Sequence, residues 1–162
     1  MGNQSSISKA SRAQRLHSAG VKYKQEKEYQ LAISSFLEAA KLREEGLTKH
    51  KEDLGVTYTE LARCYFEINE YNDAITYYKK ALSIMEKVPR PNYELVYSLY
   101  AGLGRVYYCL NEFNQGLPYC TKASEIRAKH LKHNNIRLAH ELLSNALYDY
   151  ALGFLDSSLE YS

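Results

Sequence analysis

The chain has 162 residues, 45% of them hydrophobic and 25% charged, the proportions of a folded domain rather than a disordered segment. Twenty-one Lys and Arg against nineteen Asp and Glu leave a formal net charge of +2, so a general polyanion binder is not expected and neither is a nucleic-acid partner. No run approaches the ~20 apolar residues of a membrane span, the start lacks the apolar core of a secretory signal, and three cysteines without a CxxC pair fit a reducing, cytoplasmic compartment.

In chain order, the first signal is MGNQSS, which fits M-G-x-x-x-[ST] with Gly2 as the acceptor of an N-myristoyl group. Lys9, Arg12 and Arg15 follow with no acid among the first fifteen residues, a weak second attraction to a membrane surface. The competing reading is an ordinary Ser-rich start, and residues 1–8 are expected to be flexible either way.

From residue 9 onward the chain repeats. EYQLAISSF, EYNDAITYY and EFNQGLPYC place Ala32, Ala74 and Gly116 at intervals of 42 residues. The same register aligns Leu16 with Tyr58 and Tyr100, Gly20 with Ala62 and Gly104, and Tyr23 with Tyr65 and Tyr107. It also aligns Ala39 with Ala81 and Ala123. Within the second copy, Tyr58, Leu61, Ala62 and Tyr65 form one helical face, and Ala74, Tyr78, Ala81 and Ile84 form another. The short polar INEYND between them makes each copy an antiparallel helix hairpin. Small residues let the backbones approach, and the sixteen tyrosines act as packing knobs whose hydroxyls reach the solvent edge.

Breakers mark the units as about 9–46, 47–89 and 92–133, with a partial copy at 134–162. Gly46 caps the first unit, Pro89 and Pro91 precede an N-cap at Asn92, and Asn134-Asn135 opens the partial copy, where Tyr148, Phe154 and Tyr161 match if one residue is dropped. Pro118 falls within about the first turn of its helix, where a missing donor costs little. The fold class is therefore all-α: a single domain over 9–162, a right-handed solenoid of about three and a half helix hairpins.

This pattern resembles the tetratricopeptide repeat family. The resemblance rests on Leu16, Tyr58 or Tyr100, then Ala19-Gly20, Leu61-Ala62 or Leu103-Gly104, the tyrosines at 23, 65 and 107, Phe36 or Tyr78, and the alanines at 39, 81 and 123. The 42-residue period is similar to the longer-helix variety of kinesin light chains and of the spindle-orientation adaptors that modulate G proteins. The plan as a whole resembles rapsyn-like myristoylated scaffolds. Cys120 departs from the expected aromatic, and Glu44, Glu86 and Ala128 stand where a closing proline is common.

No motif for an enzyme, a cofactor or a metal stands out: there is no phosphate-binding glycine loop and no GxSxG. His130 and His133 could offer two ligands on one helix face, but their lysine neighbours favour a solvated basic face. The basic stretch Lys122, Arg127, Lys129, Lys132 and Arg137 is likewise read as an exposed rim, and Cys64, Cys109 and Cys120 as buried or half-buried small residues.

At ~100° per residue, the side of each first helix opposite its core face carries Gln14, His17, Ser18, Val21, Lys24 and Gln25 in the first unit. The second offers Val56, Thr59, Glu60, Arg63, Phe66 and Glu67, and the third Ser98, Ala101, Gly102, Arg105, Tyr108 and Cys109. The resemblance implies that these sides line a concave groove that binds a peptide. Arg63 with Phe66 and Arg105 with Tyr108 repeat an Arg-x-x-aromatic pair suited to carboxylates, and Ala101 and Gly102 are expected to leave room beside the backbone for an acidic ligand. The alternative for Arg63 is a solvating ion pair with Glu60 or Glu67 on its own helix. The clamp by which family members hold heat-shock chaperone tails is not matched, since its positions here are His17, Val21, Glu60, Ser98 and Gly102.

The expected function is a non-enzymatic adaptor that binds a protein or peptide segment, with a peripheral membrane tether if Gly2 is acylated. The other class is a structural subunit that oligomerises or docks through its C-terminal end.

Overall fold

The computed structural model describes residues 2–46 and 51–131, with side chains from residue 8 in the first helix. They form six α-helices: α1 (Gly2–Gln25), α2 (Tyr29–Glu45), α3 (Lys51–Glu67), α4 (Tyr71–Met85), α5 (Tyr93–Cys109) and α6 (Phe113–His130). Among the described residues there is no strand. The partial copy at 134–162, with Asn134-Asn135, His133, Lys132 and Arg137, lies outside the described residues.

The hairpin turns repeat as closely as the helices. Lys27, Asn69 and Asn111 each adopt a left-handed backbone, with φ of 62°, 63° and 59°. The next residue's N–H reaches back five positions, Glu28 to the Tyr23 carbonyl, Glu70 to Tyr65 and Glu112 to Tyr107, each at 2.9 Å. That pairing closes the first helix of every hairpin and satisfies its last carbonyls. The glutamate then starts the second helix, its own carbonyl accepting from Ala32, Ala74 or Gly116.

Each helix packs on its hairpin partner, α2 and α4 pack on the following hairpin, and α3 touches both α1 and α5, so the first helices lie side by side. The hairpin interiors hold the predicted small residues Ala32, Ala39, Ala62, Ala74, Ala81 and Ala123, all buried. At Gly20 a Cβ would stand 2.7 Å from the Phe36 ring, so only glycine lets that ring lie against α1. Tyr58, Tyr78, Tyr97 and Tyr107 are buried as knobs. Several tyrosine tips find polar groups at the edge: the Tyr58 hydroxyl donates to Glu44, that of half-buried Tyr100 to Glu86 at 2.6 Å, and Lys79 donates to the Tyr107 hydroxyl at 3.0 Å. Glu44 and Glu86 thus tie one repeat to the next.

Several local expectations need correction. Residues 2–8 belong to α1, since no proline or glycine from Asn3 to Ala19 interrupts the backbone ladder. Gly46 caps α2 through its N–H to the Leu42 carbonyl, but with extended backbone rather than a left-handed turn. Asn92 caps α5 as expected, its side chain accepting from the Leu95 N–H at 3.2 Å. Pro118 is the sixth residue of α6, past the first turn, because the left-handed Asn111 turn starts the helix at Phe113. It therefore removes one intrahelical hydrogen bond. Cys109 is exposed at the end of α5, whereas Cys64 is buried and burial pushes its thiol up to about 12.

Candidate functional site

The sides of α1, α3 and α5 predicted to face a ligand do come together, linked by polar contacts that run across all three helices. Lys24 of α1 pairs with Glu60 of α3, and Arg63 binds the other oxygen of the same carboxylate at 2.8 Å. Arg63 continues to the Ser98 hydroxyl of α5 at 3.3 Å, and Ser98 donates to the Leu95 carbonyl at 2.9 Å. Glu60 is only 13% exposed in its side chain. One half-buried carboxylate between two cations leaves the centre of this face positive. Arg63 thus takes the ion pair with Glu60 that was the alternative to ligand binding, and keeps further N–H groups beyond it.

The Arg-x-x-aromatic pairs act between repeats rather than within them. Arg105 lies with its guanidinium carbon 4.5 Å from the centre of the Phe66 ring, one repeat earlier. One repeat earlier than Arg63, the place of Phe66 is held by Lys24, another cation, and Glu60 bridges the two. Arg105 has no carboxylate partner among the described residues. Phe66 and Tyr71 meet with ring centres 5.7 Å apart, and Tyr108 meets Phe113 edge-on at 5.5 Å, so the turn end of the face is aromatic.

At its other end the face is held by Arg43, which arrives from α2. Its guanidinium donates to the Thr57 hydroxyl, to the Asp53 carbonyl at 3.1 Å and to the Gln14 side-chain oxygen at 2.9 Å. His17 stands with Nδ1 3.2 Å from the Thr57 hydroxyl and 3.3 Å from the same guanidinium, its ring tilted against Phe36. Burial and the positive charge of Arg43 hold the imidazole below its ordinary range. Val21 is half-buried and packs on the core, and Ala101 is half-buried.

Two predicted members do not belong to an open surface. Thr59 is 1% exposed and donates to the Gly55 carbonyl at 2.8 Å. It lies on the middle helix, flanked by α1 and α5. Gly102 leaves no room for a ligand backbone, because Tyr78 fills the space: a Cβ there would stand 2.6 Å from that ring. Sequence reasoning missed Arg43, Thr57 and Tyr78. For Tyr78 a signal existed, since the same position in the first repeat carries Phe36.

In the basic C-terminal stretch, Lys122 pairs with Glu125 at 3.0 Å and His130 stacks on Tyr93, ring centres 3.6 Å apart. No cluster of three or more metal-binding side chains occurs among the described residues, and no described helix is long and apolar enough to cross a membrane.

Residues 11–87 match the tetratricopeptide repeat family. In fold the chain is similar to a Podosopora anserina putative kinesin light chain with nearly identical TPR-like repeats: 20% identity and a TM-score of 0.74 over 93% of this chain and 71% of that one. It is also similar to aspartyl phosphate phosphatase F of Bacillus subtilis, at 19% identity and a TM-score of 0.76 over 94% of this chain. The Rap conjugation gene regulator of plasmid pLS20, solved in complex with the Phr* peptide, gives 18% identity and a TM-score of 0.71 over 90% of this chain. Of these last two proteins the chain spans 39% of the length. No curated protein of known function matches the sequence.

Proposed function

The chain carries tetratricopeptide repeats, and from that premise we propose that it is a non-enzymatic adaptor whose α1–α3–α5 face binds an acidic peptide segment of a partner protein. One observation carries the reading: Lys24 and Arg63 share the single carboxylate of Glu60, and Arg105 stacks on Phe66 with none. The cations on this face outnumber the acids that balance them, and guanidinium groups present planar donor edges that suit carboxylates. A neighbour in fold solved with a peptide supports a peptide as the ligand class. Gln14, His17, Val21, Ser98, Ala101 and Tyr108 complete the surface that the peptide crosses.

Selection from a random peptide library tests this. Wild-type protein should enrich peptides rich in Asp and Glu, and Arg63→Gln with Arg105→Gln should weaken the selected peptides at least about tenfold. Glutamine keeps the face polar without placing a second acid beside Glu60. Selected peptides that bind the double variant as well as wild type would overturn the assignment.

Gly2 acylation is the finer part of the proposal. The sequence MGNQSS supports it, but Lys9 pairs with Glu45 at 2.9 Å and Arg12 with Glu38, so two of the three basic residues are partly neutralised by α2. One acyl chain alone holds a membrane only marginally. Intact mass after co-expression with an N-myristoyltransferase should show the adduct in wild type and none in Gly2→Ala; an unmodified wild type removes the tether.

A further inference from the structure

Position 78 stands in register with Phe36 of the first repeat. Phe36 is fully buried without a hydroxyl, so packing alone does not require the oxygen that Tyr78 carries. Tyr78 is 5% exposed, and its ring crosses from α4 to α5, where a Cβ on Gly102 would stand 2.9 Å from the hydroxyl oxygen. One repeat earlier the place of Gly102 is held by Glu60, so the missing side chain at 102 makes room for this phenol. No described side chain or carbonyl is hydrogen-bonded to the hydroxyl, and its oxygen is not among the fully buried unsatisfied atoms, so the phenol tip keeps access to solvent at the edge of the face. Burial raises the phenol's pKa; the guanidiniums of Arg63 and Arg105 oppose that rise, and Glu60 and Glu67 add to it. Ser98, Gly102 and Arg105 stand at i, i+4 and i+7 on one side of α5, so Arg63 on Ser98 and the phenol on Gly102 both meet the side that carries Arg105.

We infer that Arg63, Arg105 and the Tyr78 hydroxyl form an anion subsite between α3 and α5 that takes the phosphoryl group of a phosphorylated side chain in the bound peptide. The inference rests on the peptide-binding reading above and names the chemistry of one ligand residue. A phosphate monoester brings about −1.5 to −2 charges and three acceptor oxygens. The subsite supplies two guanidiniums and one hydroxyl as donors for those oxygens. A single carboxylate brings one charge and two oxygens, too few to engage both guanidiniums and the phenol at once. Of the two acids near the phenol, Glu60 is spanned by Lys24 and Arg63, which offsets its repulsion of an anion, and Glu67 is exposed to solvent, which screens it. Ser98 accepts from Arg63 and so fixes that guanidinium in place, and the Phe66 ring does the same for Arg105.

The test is an NMR titration of the full chain, following the side-chain Nε–H signals of the arginines. The probes are a capped alanine pentapeptide with a central phosphoserine, the same peptide with a central aspartate, and inorganic phosphate. The phosphoserine peptide should shift the Arg63 and Arg105 signals saturably and bind about tenfold more tightly than the aspartate peptide. Tyr78→Phe, which places in repeat two the ring that repeat one already carries, should weaken phosphoserine binding about tenfold and leave aspartate binding unchanged. Equal affinity for the two peptides, or no effect of Tyr78→Phe, overturns the subsite. Inorganic phosphate binding as tightly as the phosphoserine peptide also overturns it, by making the ligand a free anion. If phosphoserine fails while the arginine double variant still loses the library-selected peptides, the subsite falls and the peptide groove stands.

Discussion

Lys27, Asn69 and Asn111 occupy one turn position three times over, and only the first is ill suited to it. A left-handed backbone costs most L-residues ~1–2 kcal/mol, less for asparagine, whose short polar side chain bonds locally. Lys27 is exposed, and its side chain makes no hydrogen bond or ion pair among the described residues. Lys27→Asn should therefore stabilise the fold by about 0.5–1 kcal/mol, read as a rise of about 1–4 °C in the thermal midpoint. A midpoint that stays put or falls would refute the strain. The turn itself was legible in INEYND as a short polar link, but its handedness was not, because QEKEY carries lysine where the other copies have asparagine. The same limit explains Thr59 and Gly102. A helical wheel gives the direction of a residue, not whether a neighbouring helix or a tyrosine from the next layer already fills that direction.

At the scale of the elements, hydrophobic columns 42 residues apart, with three- and four-residue spacings inside each copy, were enough to name the hairpins, since burial of one face per helix dictates those short spacings. The ties between hairpins were not legible. Glu44 and Glu86 were visible only as missing prolines; their partners, Tyr58 and Tyr100, lie on the following hairpin and become neighbours only once the units stack. Tyr100 also meets Tyr119, which stacks on Tyr107 with ring centres 5.6 Å apart, repeating the Tyr58, Tyr77 and Tyr65 arrangement of the second repeat. Since the rings do the packing, Tyr100→Phe should remove only the hydroxyl's bond to Glu86. Its cost should be about 0.5–1.5 kcal/mol in urea unfolding, small because the carboxylate is exposed. Glu86→Gln added to Tyr100→Phe should cost little more, as expected for two halves of one contact. Fully additive losses would mean that the two side chains act independently and that the tie does not hold the repeats together.

For the molecule as a whole, the junction of the first two repeats depends on the charge of one side chain. His17 was legible as a member of the first helices' common face, but not as a neutral group, because Arg43 reaches it from α2. A guanidinium only donates, so the nearest imidazole nitrogen, Nδ1, must keep its lone pair and the ring must be uncharged. Protonation would turn that nitrogen into a donor aimed at a cation. Burial is the largest cause of the lowered pKa and Arg43 the next; Lys24 acts in the same direction, against Glu60 and Asp53. With the folded value below the ordinary one near 6.5, the unfolded chain binds the proton more readily. The stabilisation is then fully present above about pH 6.5 and drains away as pH falls through the folded value. Between pH 7.5 and 5.5, where carboxylates such as Glu45, held low by Lys9, stay ionised, the urea midpoint of wild type should fall more steeply than that of His17→Gln. The Arg43 bonds to Thr57 and Gln14 join α2 to α3 and α1 at this same place, so affinity for a library-selected peptide should decline over the same window in wild type and less in the variant. Parallel stability profiles for the two proteins would show that the imidazole's charge does not govern this junction.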